Sequence, residues 1–546
     1  MVEEVIMKKY GLFKVILIIL GLLVVTSIFI PGRDGDIAYI PIGDEAINFV
    51  QAFYYFFDTV VYLLVLGAFY GVLNLVPAYK KLLDNIAQKV KSHSKGFIFI
   101  TAIVFAILTS LFGIDNCILV FVPFIISIIL LLGYDKLVAI SSTVVAMLIG
   151  FMGGIFTTFR DPNNYYGYSS VTIDELAGLD KYTNLWPRLI LVILGIALLI
   201  FFINRHIKNV QEKKVKYELN DSDDLLVSEV KGDYKNIKTW PLMIILSLIL
   251  IVLVFGYFPW NNLFGIEVFN NFHQNLLEFR FNFRSVFIVI GILLLLIIVW
   301  KFIKKKHFDS KDWVLNSTFL VIFLCVILSY IPLGFLDKFQ DWFTAKDLTL
   351  NSIISNNLYA LGNWSSLGSF MGIIIVLLVF TLVTKIIYRI KFDDVIDGFV
   401  EGSKRMLPAV FLMILSYTIL ICTYNNGLIS TIITWISESS LGLNVVTTSF
   451  VSALGSLLHV DLYYTAAGVF SPILSAATDE SLYSVYAMTF QSIHGLISII
   501  GPTSFLLIVV LTYFDVPYTT WVKYIWRFVL MLLLLVILVL LVLSLI

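Results

Sequence analysis

The sequence predicts an all-α polytopic membrane protein with about 11 transmembrane helices and two re-entrant helical hairpins, arranged as two inverted-topology repeats. Three observations predict this fold. The 546 residues are 59% hydrophobic and only 14% charged, whereas soluble domains are about 45–50% apolar and about 25% charged. The apolar residues form blocks long enough to cross a bilayer. The Lys and Arg residues are concentrated on one side of those blocks.

Membrane-spanning helices are recognised by length, since a span needs about 20 apolar residues. Eleven blocks qualify: 11–30, 54–76, 137–158, 187–204, 240–258, 285–303, 314–334, 370–388, 405–425, 484–514 and 526–546. The first block is too long for a signal-peptide core and lacks a small-residue cleavage site, so we expect it to remain as a span. Two more apolar regions, 97–132 and 444–478, are too long for one helix and are interrupted by polar residues.

The Lys and Arg residues set the orientation, because cytoplasmic loops carry more of them. With the N-terminus in the cytoplasm, all but eight of the 37 lie in or beside cytoplasmic loops, and Arg188 is one of the eight. This bias requires 97–132 and 444–478 each to enter and leave on one face. We therefore interpret both as re-entrant hairpins, the first from the cytoplasm and the second from outside. The sequence thus predicts a multi-pass protein of the plasma membrane.

The order of elements predicts an inverted repeat. Residues 1–204 run span, span, hairpin, span, span, and residues 370–546 repeat this order. Residues 205–369 supply a cytoplasmic connector and three linking transmembrane helices, and this odd number turns the second repeat upside down. Inverted repeats with binding sites at broken helices near the midplane are typical of secondary transporters. An offset of 346 residues aligns the two repeats, but the topology supports the repeat more strongly than the few identities do.

The hairpin tips are predicted to bind a cation. A carboxylate at membrane depth costs about 2.5–3.5 kcal/mol and persists where it meets a cation, a partner or water. Hard oxygen ligands of this kind suit Na⁺. The predicted ion-binding residues are Thr109, Asp115, Gly154, Gly455, Asp461 and Gly501. The alternative is that the tips are shallow and these residues cap helix ends.

Two further segments, 150–163 and 498–504, combine glycine, proline and hydroxyl residues and predict breaks within apolar helices. Half-helix N-termini offer partial positive charge to an anionic substrate group. Gln491 and His494 are spaced i, i+3 and share a helix face. The predicted substrate-binding residues are Ser110, Asn116, Thr157, Thr158, Ser456, His459, Gln491, His494, Thr503 and Ser504. The alternatives are ordinary kinks and packed, hydrogen-bonded histidines.

These residues resemble a known group of carriers. Gly501–Pro502–Thr503–Ser504, followed by the Pro-Tyr-Thr-Thr-Trp-Val-Lys-Tyr run within Val516–Trp526, resembles the C-terminal region of the YfcC-like permeases and the related C4-dicarboxylate (DcuC-type) carriers. The resemblance implies the ion transporter superfamily, with sites at two hairpin tips and two broken helices lined by Thr503 and Ser504. Asp115 replaces the paired glutamates that these families often carry. The aromatic residues of Tyr518–Trp526 are also expected to form an interfacial belt.

The predicted function is secondary active transport: a Na⁺- or H⁺-coupled symporter or exchanger for a small carboxylate-bearing metabolite such as an amino acid, short peptide or C4-dicarboxylate. The sequence contains no GxxxxGK[ST], HExxH or GxSxG motif, so neither ATP hydrolysis nor enzyme activity is predicted. The alternative is a membrane-embedded enzyme acting on a lipid-linked substrate; a channel or assembly factor is a further one. Predicted partners are the bilayer, an anionic or zwitterionic substrate and the coupling ion. Na⁺ is the only cofactor considered, nucleic acid is not expected, and a homodimer is left open.

Overall fold

The computed structural model describes residues 11–27, 29, 42–113, 115–157, 159–160, 170–212, 237–257, 280–281, 283–303, 310–330, 337–344, 348–349, 370–425, 427–459 and 462–544. The chain divides into two compact units, one formed by Met1–Pro259 with Gly362–Ile546 and the other by Trp260–Leu361. Within the described residues, seven helices are long and apolar enough to cross a membrane, and several shorter apolar helices accompany them. The prediction of an all-α polytopic membrane fold is confirmed.

The described helices are numbered in chain order. They are α1 (Gly11–Ser27), α2 (Ile42–Tyr55), α3 (Phe57–Asn74), α4 (Pro77–Val90), α5 (Ser94–Phe112), α6 (Asp115–Leu119), α7 (Val122–Leu131), α8 (Lys136–Ile140), α9 (Ala146–Met152), α10 (Ile173–Leu176), α11 (Leu185–Gln211), α12 (Trp240–Tyr257), α13 (Phe283–Ile303), α14 (Ser310–Leu328), α15 (Asp337–Thr344), α16 (Met371–Tyr388), α17 (Phe392–Asn425), α18 (Leu428–Glu438), α19 (Val445–Leu458), α20 (Leu462–Thr465), α21 (Ser471–Ala476), α22 (Tyr483–Ser498), α23 (Phe505–Tyr513) and α24 (Tyr518–Leu543).

Short irregular pieces connect some of these helices. A π-helical turn, Ser141–Val145, joins α8 to α9, and another, Ala466–Phe470, joins α20 to α21. Short 3₁₀ turns precede α5 and α22. Two pairs of two-residue antiparallel strands complete the described structure: β1 (Phe159–Arg160) with β2 (Ser170–Val171), and β3 (Arg280–Phe281) with β4 (Leu348–Thr349).

The smaller unit is built on α13 and α14, which pack against each other. The Arg284 guanidinium lies 4.3 Å from the centre of the Tyr330 ring and donates a hydrogen bond to the Ser329 carbonyl oxygen. These contacts tie the start of α13 to the end of α14. Both helices coincide with predicted linking spans, and the connector residues 213–236 lie outside the described residues.

In the larger unit, α3 and α17 form an antiparallel pair. Gly67 packs against Gly402, and Gly71 packs against Gly398, so the numbering rises along one helix and falls along the other. A side chain added to Gly67 or Gly71 would overlap the partner backbone, and small residues at such crossings let two helices approach closely. An antiparallel pair is the arrangement expected of the second spans of two inverted repeats.

The first predicted hairpin region folds back on itself. Helix α5 ends at Gly113, which adopts a left-handed conformation with φ of 58°, and α6 and α7 return from this tip. The Ser94 and Tyr134 hydroxyl groups lie 2.8 Å apart and join the two ends. By length and hydropathy alone, Pro77–Leu111 could cross a membrane. The returning chain nevertheless places both ends of residues 94–134 side by side.

The second predicted hairpin region also folds back. Helix α19 leads to a tip at His459, and α20 and α21 return from it. The Tyr486 hydroxyl donates to the Leu443 carbonyl over 3.2 Å, and the Tyr483 hydroxyl donates to the Leu474 carbonyl over 3.4 Å. Because both tyrosines lie in the first turn of α22, the two ends of the segment lie at the same level. The first leg of each hairpin packs on the helix before a break: α5 on α9, and α19 on α22.

The two predicted breaks lead into different structures. The predicted span 484–514 is two helices, α22 and α23, separated by the non-helical residues 499–504. In the first repeat, α9 ends at Met152, and the next described residues, 153–157 and 159–160, are not helical. The span predicted over 137–158 therefore ends earlier than expected, because Gly153 and Gly154 stop the helix.

Candidate functional site

The first break exposes backbone carbonyl groups that α9 cannot satisfy, since the last turn of a helix has no internal donors. The Ser110 hydroxyl donates to the Gly153 carbonyl over 2.9 Å. The Gln491 amide donates to the carbonyls of Phe151 and Gly154, each over 2.9 Å. A side chain at Gly154 would collide with the Gln491 amide nitrogen and the Thr157 hydroxyl. The free carbonyls of the first break are therefore satisfied by Ser110 of the first hairpin and by Gln491 of α22.

One turn of α22 connects the first break to the second hairpin. Gln491 contacts the break, and three residues further on the His494 Nδ1 lies 2.9 Å from the Ser456 hydroxyl oxygen of α19. Both side chains are buried, with 1% of Gln491 and 6% of His494 exposed. The i, i+3 spacing thus places Gln491 and His494 on one helix face, where they link the first break to the second hairpin.

Polar side chains also fix the second hairpin tip. The Thr503 hydroxyl, in the second break, donates to the Leu457 carbonyl over 2.7 Å. The Thr423 hydroxyl lies 2.9 Å from the His459 Nε2 at the tip. Each hairpin tip therefore rests on the break of its own repeat, because Gly113 likewise packs against the backbone that precedes Thr157 in the first repeat.

The free carbonyls of the second break are satisfied from α24. The Trp521 indole donates to the Ile499 carbonyl over 3.0 Å, and the Tyr518 hydroxyl donates to the Ile500 carbonyl over 2.6 Å. Trp521 is fully buried, so its expected place in an interfacial belt is wrong. Trp526, with 43% of its surface exposed, fits such a belt. The Pro-Tyr-x-x-Trp segment therefore has a structural role, because its Tyr and Trp side chains satisfy the free carbonyls of the second break.

The two repeats contact each other crosswise around the site. The Tyr62 hydroxyl donates to the Asn116 carbonyl at the first tip over 3.1 Å, and its ring lies 6.3 Å from the Phe505 ring, at the start of α23. Helix α20, which leaves the second tip, lies against strand β1, which comes after the first break. The helix that leaves the second tip is thus next to the element beyond the first break, and Tyr62 lies between the first tip and the start of α23.

Buried polar atoms without a hydrogen-bond partner gather in this region. Within the described part of the chain they include the Thr157 hydroxyl and the Gln491 amide oxygen. The hydroxyls of four residues on α19 and α22 share this property: Thr448, Ser452, Thr489 and Ser492. Buried polar atoms are normally hydrogen-bonded, so a group of exceptions indicates a place for a polar ligand or water. Ser504, which caps α23, makes no side-chain bond to the helix, so the first N–H groups of α23 are also available.

The structure brings together most of the predicted site residues. Those that meet at the tips and breaks are Ser110, Asn116, Gly154, Thr157, Ser456, His459, Gln491, His494, Thr503 and Ser504. Thr158 and Asp461 lie outside the described residues, and so does the side chain of Asp115.

Three predicted ion-binding residues have contacts within their own hairpin or beside their own break. The Thr109 hydroxyl donates to the Phe105 carbonyl of the same helix over 2.9 Å. Gly455 packs against Val469 of the opposite hairpin leg. The Gly501 N–H donates to the Ile497 carbonyl over 2.6 Å. Their assignment as cation ligands stays a prediction.

Sequence reasoning missed a buried ion pair beside the first break. Arg188 and Asp174 form a 3.0 Å ion pair with only 2% and 1% of their side chains exposed. Arg188 also donates to the Gly154 carbonyl. The Asn184 amide donates to Asp174 over 2.9 Å and to the Ser484 carbonyl of α22 over 3.1 Å. The sequence signal, an arginine at the edge of an apolar block, is indistinguishable from a loop charge.

Two hairpins that each meet a break, with buried polar side chains shared between two halves, define a multi-pass membrane carrier. The family profile for C4-dicarboxylate anaerobic carriers matches residues 5–319 and 301–545, and the chain belongs to this DcuC family. The resemblance noted in the sequence is thereby confirmed. The chain is also 23% identical over 168 residues to an uncharacterized protein of Haemophilus influenzae; the match covers 31% of each protein, so the chain spans about a third of that relative. No solved structure matches the chain.

Proposed function

We propose that this carrier is a cation-coupled secondary transporter of four-carbon dicarboxylates, which bind between the two breaks. The observation that supports this most is the Gln491–His494 turn, which joins the first break to the second hairpin in a buried region. A ligand that displaced these contacts would affect both repeats at once. Such coupling between halves is what alternating access at an inverted repeat requires.

The matching hydroxyl residues of the two breaks suit a substrate with two like ends. The 346-residue offset pairs Thr157 with Thr503 and Thr158 with Ser504, so each break has a pair of hydroxyl residues. Unpartnered hydroxyls and the N-terminus of α23 are donors, and carboxylates accept from donors of this kind. A dicarboxylate could place one carboxylate at each break, whereas an amino acid or a monocarboxylate has one.

The charge of the substrate supports coupling to a cation. Residues 108–118, 150–157, 454–459 and 491–505, which form the tips and breaks, contain no Lys or Arg. Arg188, the buried arginine beside the site, is already paired with Asp174. Two negative charges at membrane depth therefore need Na⁺ or H⁺ to travel with them. Each net positive charge moved across 100 mV supplies about 2.3 kcal/mol, or roughly fifty-fold accumulation.

Transport by purified protein in proteoliposomes tests this proposal. We expect saturable uptake of radiolabelled succinate that depends on an inward Na⁺ or H⁺ gradient. Unlabelled fumarate or malate should compete, whereas acetate, alanine and a dipeptide should compete at least tenfold more weakly. The proposal would be contradicted by uptake that depends on neither the Na⁺ gradient, the H⁺ gradient nor a counter-substrate. Competition by the dipeptide alone would also contradict it.

Gln491→Leu tests the binding region. The substitution keeps the approximate size of the side chain and removes the donors to the Phe151 and Gly154 carbonyls. Leaving a buried acceptor unsatisfied costs about 1–3 kcal/mol. We expect a roughly tenfold higher KM for succinate, at about 1.4 kcal/mol per decade. Gln88→Leu, on the exposed face of α4, is the control and should leave the KM unchanged. A wild-type KM in well-folded Gln491→Leu would remove this residue from the site.

A further inference from the structure

Asp58 is an acidic residue in a membrane helix that the candidate site does not use. Helices α2 and α3 follow one path with a kink at Phe56: the Phe56 N–H donates to the Ala52 carbonyl over 3.1 Å, and the Val60 N–H donates to the Phe56 carbonyl over 3.2 Å. Asp58 lies just past the kink, near the middle of residues 42–74. It lies in the first turn of α3, the helix that is long and apolar enough to cross a membrane.

The contacts of neighbouring residues place Asp58 between the levels of the two hairpin tips. Two residues before it, the Phe56 ring lies 5.5 Å from the ring of Tyr464, on the helix that leaves the second tip. One turn after it, the Tyr62 hydroxyl donates to the Asn116 carbonyl at the first tip. Both tips therefore contact the same short stretch of helix that carries the Asp58 carboxylate.

Asp58 is half-buried among groups that can exchange protons. Its Oδ1 accepts the Thr59 N–H over 2.8 Å and lies 3.5 Å from the Thr59 hydroxyl. That hydroxyl lies 3.5 Å from the Tyr417 hydroxyl of α17. The Tyr257 hydroxyl of α12 lies near Asp58 and near Cys117 of α6. Asp115 is the acid on α6, and its side chain lies outside the described residues.

No described base pairs with Asp58. The packed segments of α12, α16 and α17, residues 240–257, 370–384 and 406–425, contain no Lys, Arg or His. The acids of α2, Asp44 and Glu45, lie more than three turns away along the helix. An unpaired carboxylate buried in protein is costly because it is withdrawn from water, and binding a proton removes its charge.

From this placement we propose that Asp58 binds the coupling proton of the carrier. The inference rests on the proposed function and specifies its coupling ion. A proton adds to the carboxylate when the site faces the side of higher proton activity and leaves when it faces the other side. A proton is favoured over Na⁺ because a proton needs only the carboxylate oxygen, whereas Na⁺ needs several oxygen ligands, and the described hydrogen-bonding neighbours of the Asp58 Oδ1 are the Thr59 N–H and hydroxyl.

Asp58→Asn in proteoliposomes separates coupling from substrate binding. We expect succinate accumulation driven by a pH gradient to fall at least tenfold, while counterflow exchange of succinate stays within threefold of wild type. Alkalinisation of the external medium during uptake, read with pyranine, should disappear. Asp479→Asn is the matched control, because this acid is exposed in the loop before α22, and it should behave as wild type.

A second measurement uses the wild-type protein and does not depend on the folding of a variant. Dicyclohexylcarbodiimide reacts with protonated carboxyl groups in apolar surroundings, and peptide mass spectrometry locates the adduct. We expect modification of Asp58 that declines as pH rises. Absence of the adduct at every pH, or proton-coupled accumulation in Asp58→Asn, would overturn the assignment. Wild-type uptake driven by Na⁺ without a pyranine signal would also overturn it and leave the carrier function standing. No uptake by the wild type would overturn the proposed function itself.

Discussion

Single buried side chains hold the two breaks of this carrier in place. Gln491 and His494 could be predicted because two polar residues at i, i+3 in an apolar helix must face protein rather than lipid. The buried ion pair of Arg188 could not be predicted, since its partner Asp174 lies 14 residues away in a segment that the sequence assigns to an external loop. The roles of Tyr518 and Trp521 as donors to the break were equally hidden, because aromatic residues near a span end usually indicate an interface.

The buried Arg188–Asp174 pair predicts a non-additive effect on stability. Arg188→Gln or Asp174→Asn alone leaves an uncompensated charge and should cost about 3–5 kcal/mol. The double variant Arg188→Gln with Asp174→Asn removes both charges, so it should be more stable than either single variant. Thermal unfolding of the purified protein in detergent measures this coupling.

A surface ion pair provides the control for this cycle. Lys404 and Glu401 are 3.6 Å apart, with 63% and 65% of their side chains exposed. Lys404→Ala should lower stability by less than about 1 kcal/mol. Strictly additive losses for Arg188 and Asp174 would show that the two residues act independently.

At the level of elements, the sequence predicted the hairpins and breaks better than the helix ends. The Gly501–Pro502 pair predicted the interruption between α22 and α23, since proline removes a helix hydrogen bond. Hydropathy detects only apolar residues, so it missed α4 and the first thirteen residues of α17, which are charged and helical. It also assigned residues 153–158 to a span that ends at Met152.

Tyr518→Phe tests whether the cap from α24 shapes the second break. The ring stays in place, and only the hydroxyl that donates to the Ile500 carbonyl is lost. A buried carbonyl left without its donor costs about 1–3 kcal/mol. We expect the KM for succinate to rise several-fold in transport assays with little loss of expression. Tyr55→Phe, at a tyrosine with 62% of its surface exposed, should change nothing. Equal KM values for Tyr518→Phe and wild type would show that the Tyr518 hydroxyl does not shape the second break and that α24 contributes only by packing.

At the scale of the larger unit, α3 and α17, one from each predicted half, pack as an antiparallel pair. The order of spans and hairpins predicts inverted halves, because an odd number of linking helices reverses the second half, and an antiparallel pair fits that prediction. The sequence could not show which elements of opposite halves touch. The contact of Tyr62 with both the first tip and Phe505, for example, depends on how α3 packs, and no local pattern encodes it.

The claim on which the whole account depends is that the two hairpins enter the membrane from opposite faces. Single cysteines at Ser92 and Leu132 flank the first hairpin, and single cysteines at Ser440 and Thr478 flank the second, in a background without Cys117, Cys325 and Cys422. Labelling of intact cells with a membrane-impermeant maleimide should modify positions 440 and 478, whereas positions 92 and 132 should react only after permeabilisation. Labelling of 92 and 132 from opposite faces, or of all four from one face, would contradict the inverted arrangement and the transport mechanism built on it.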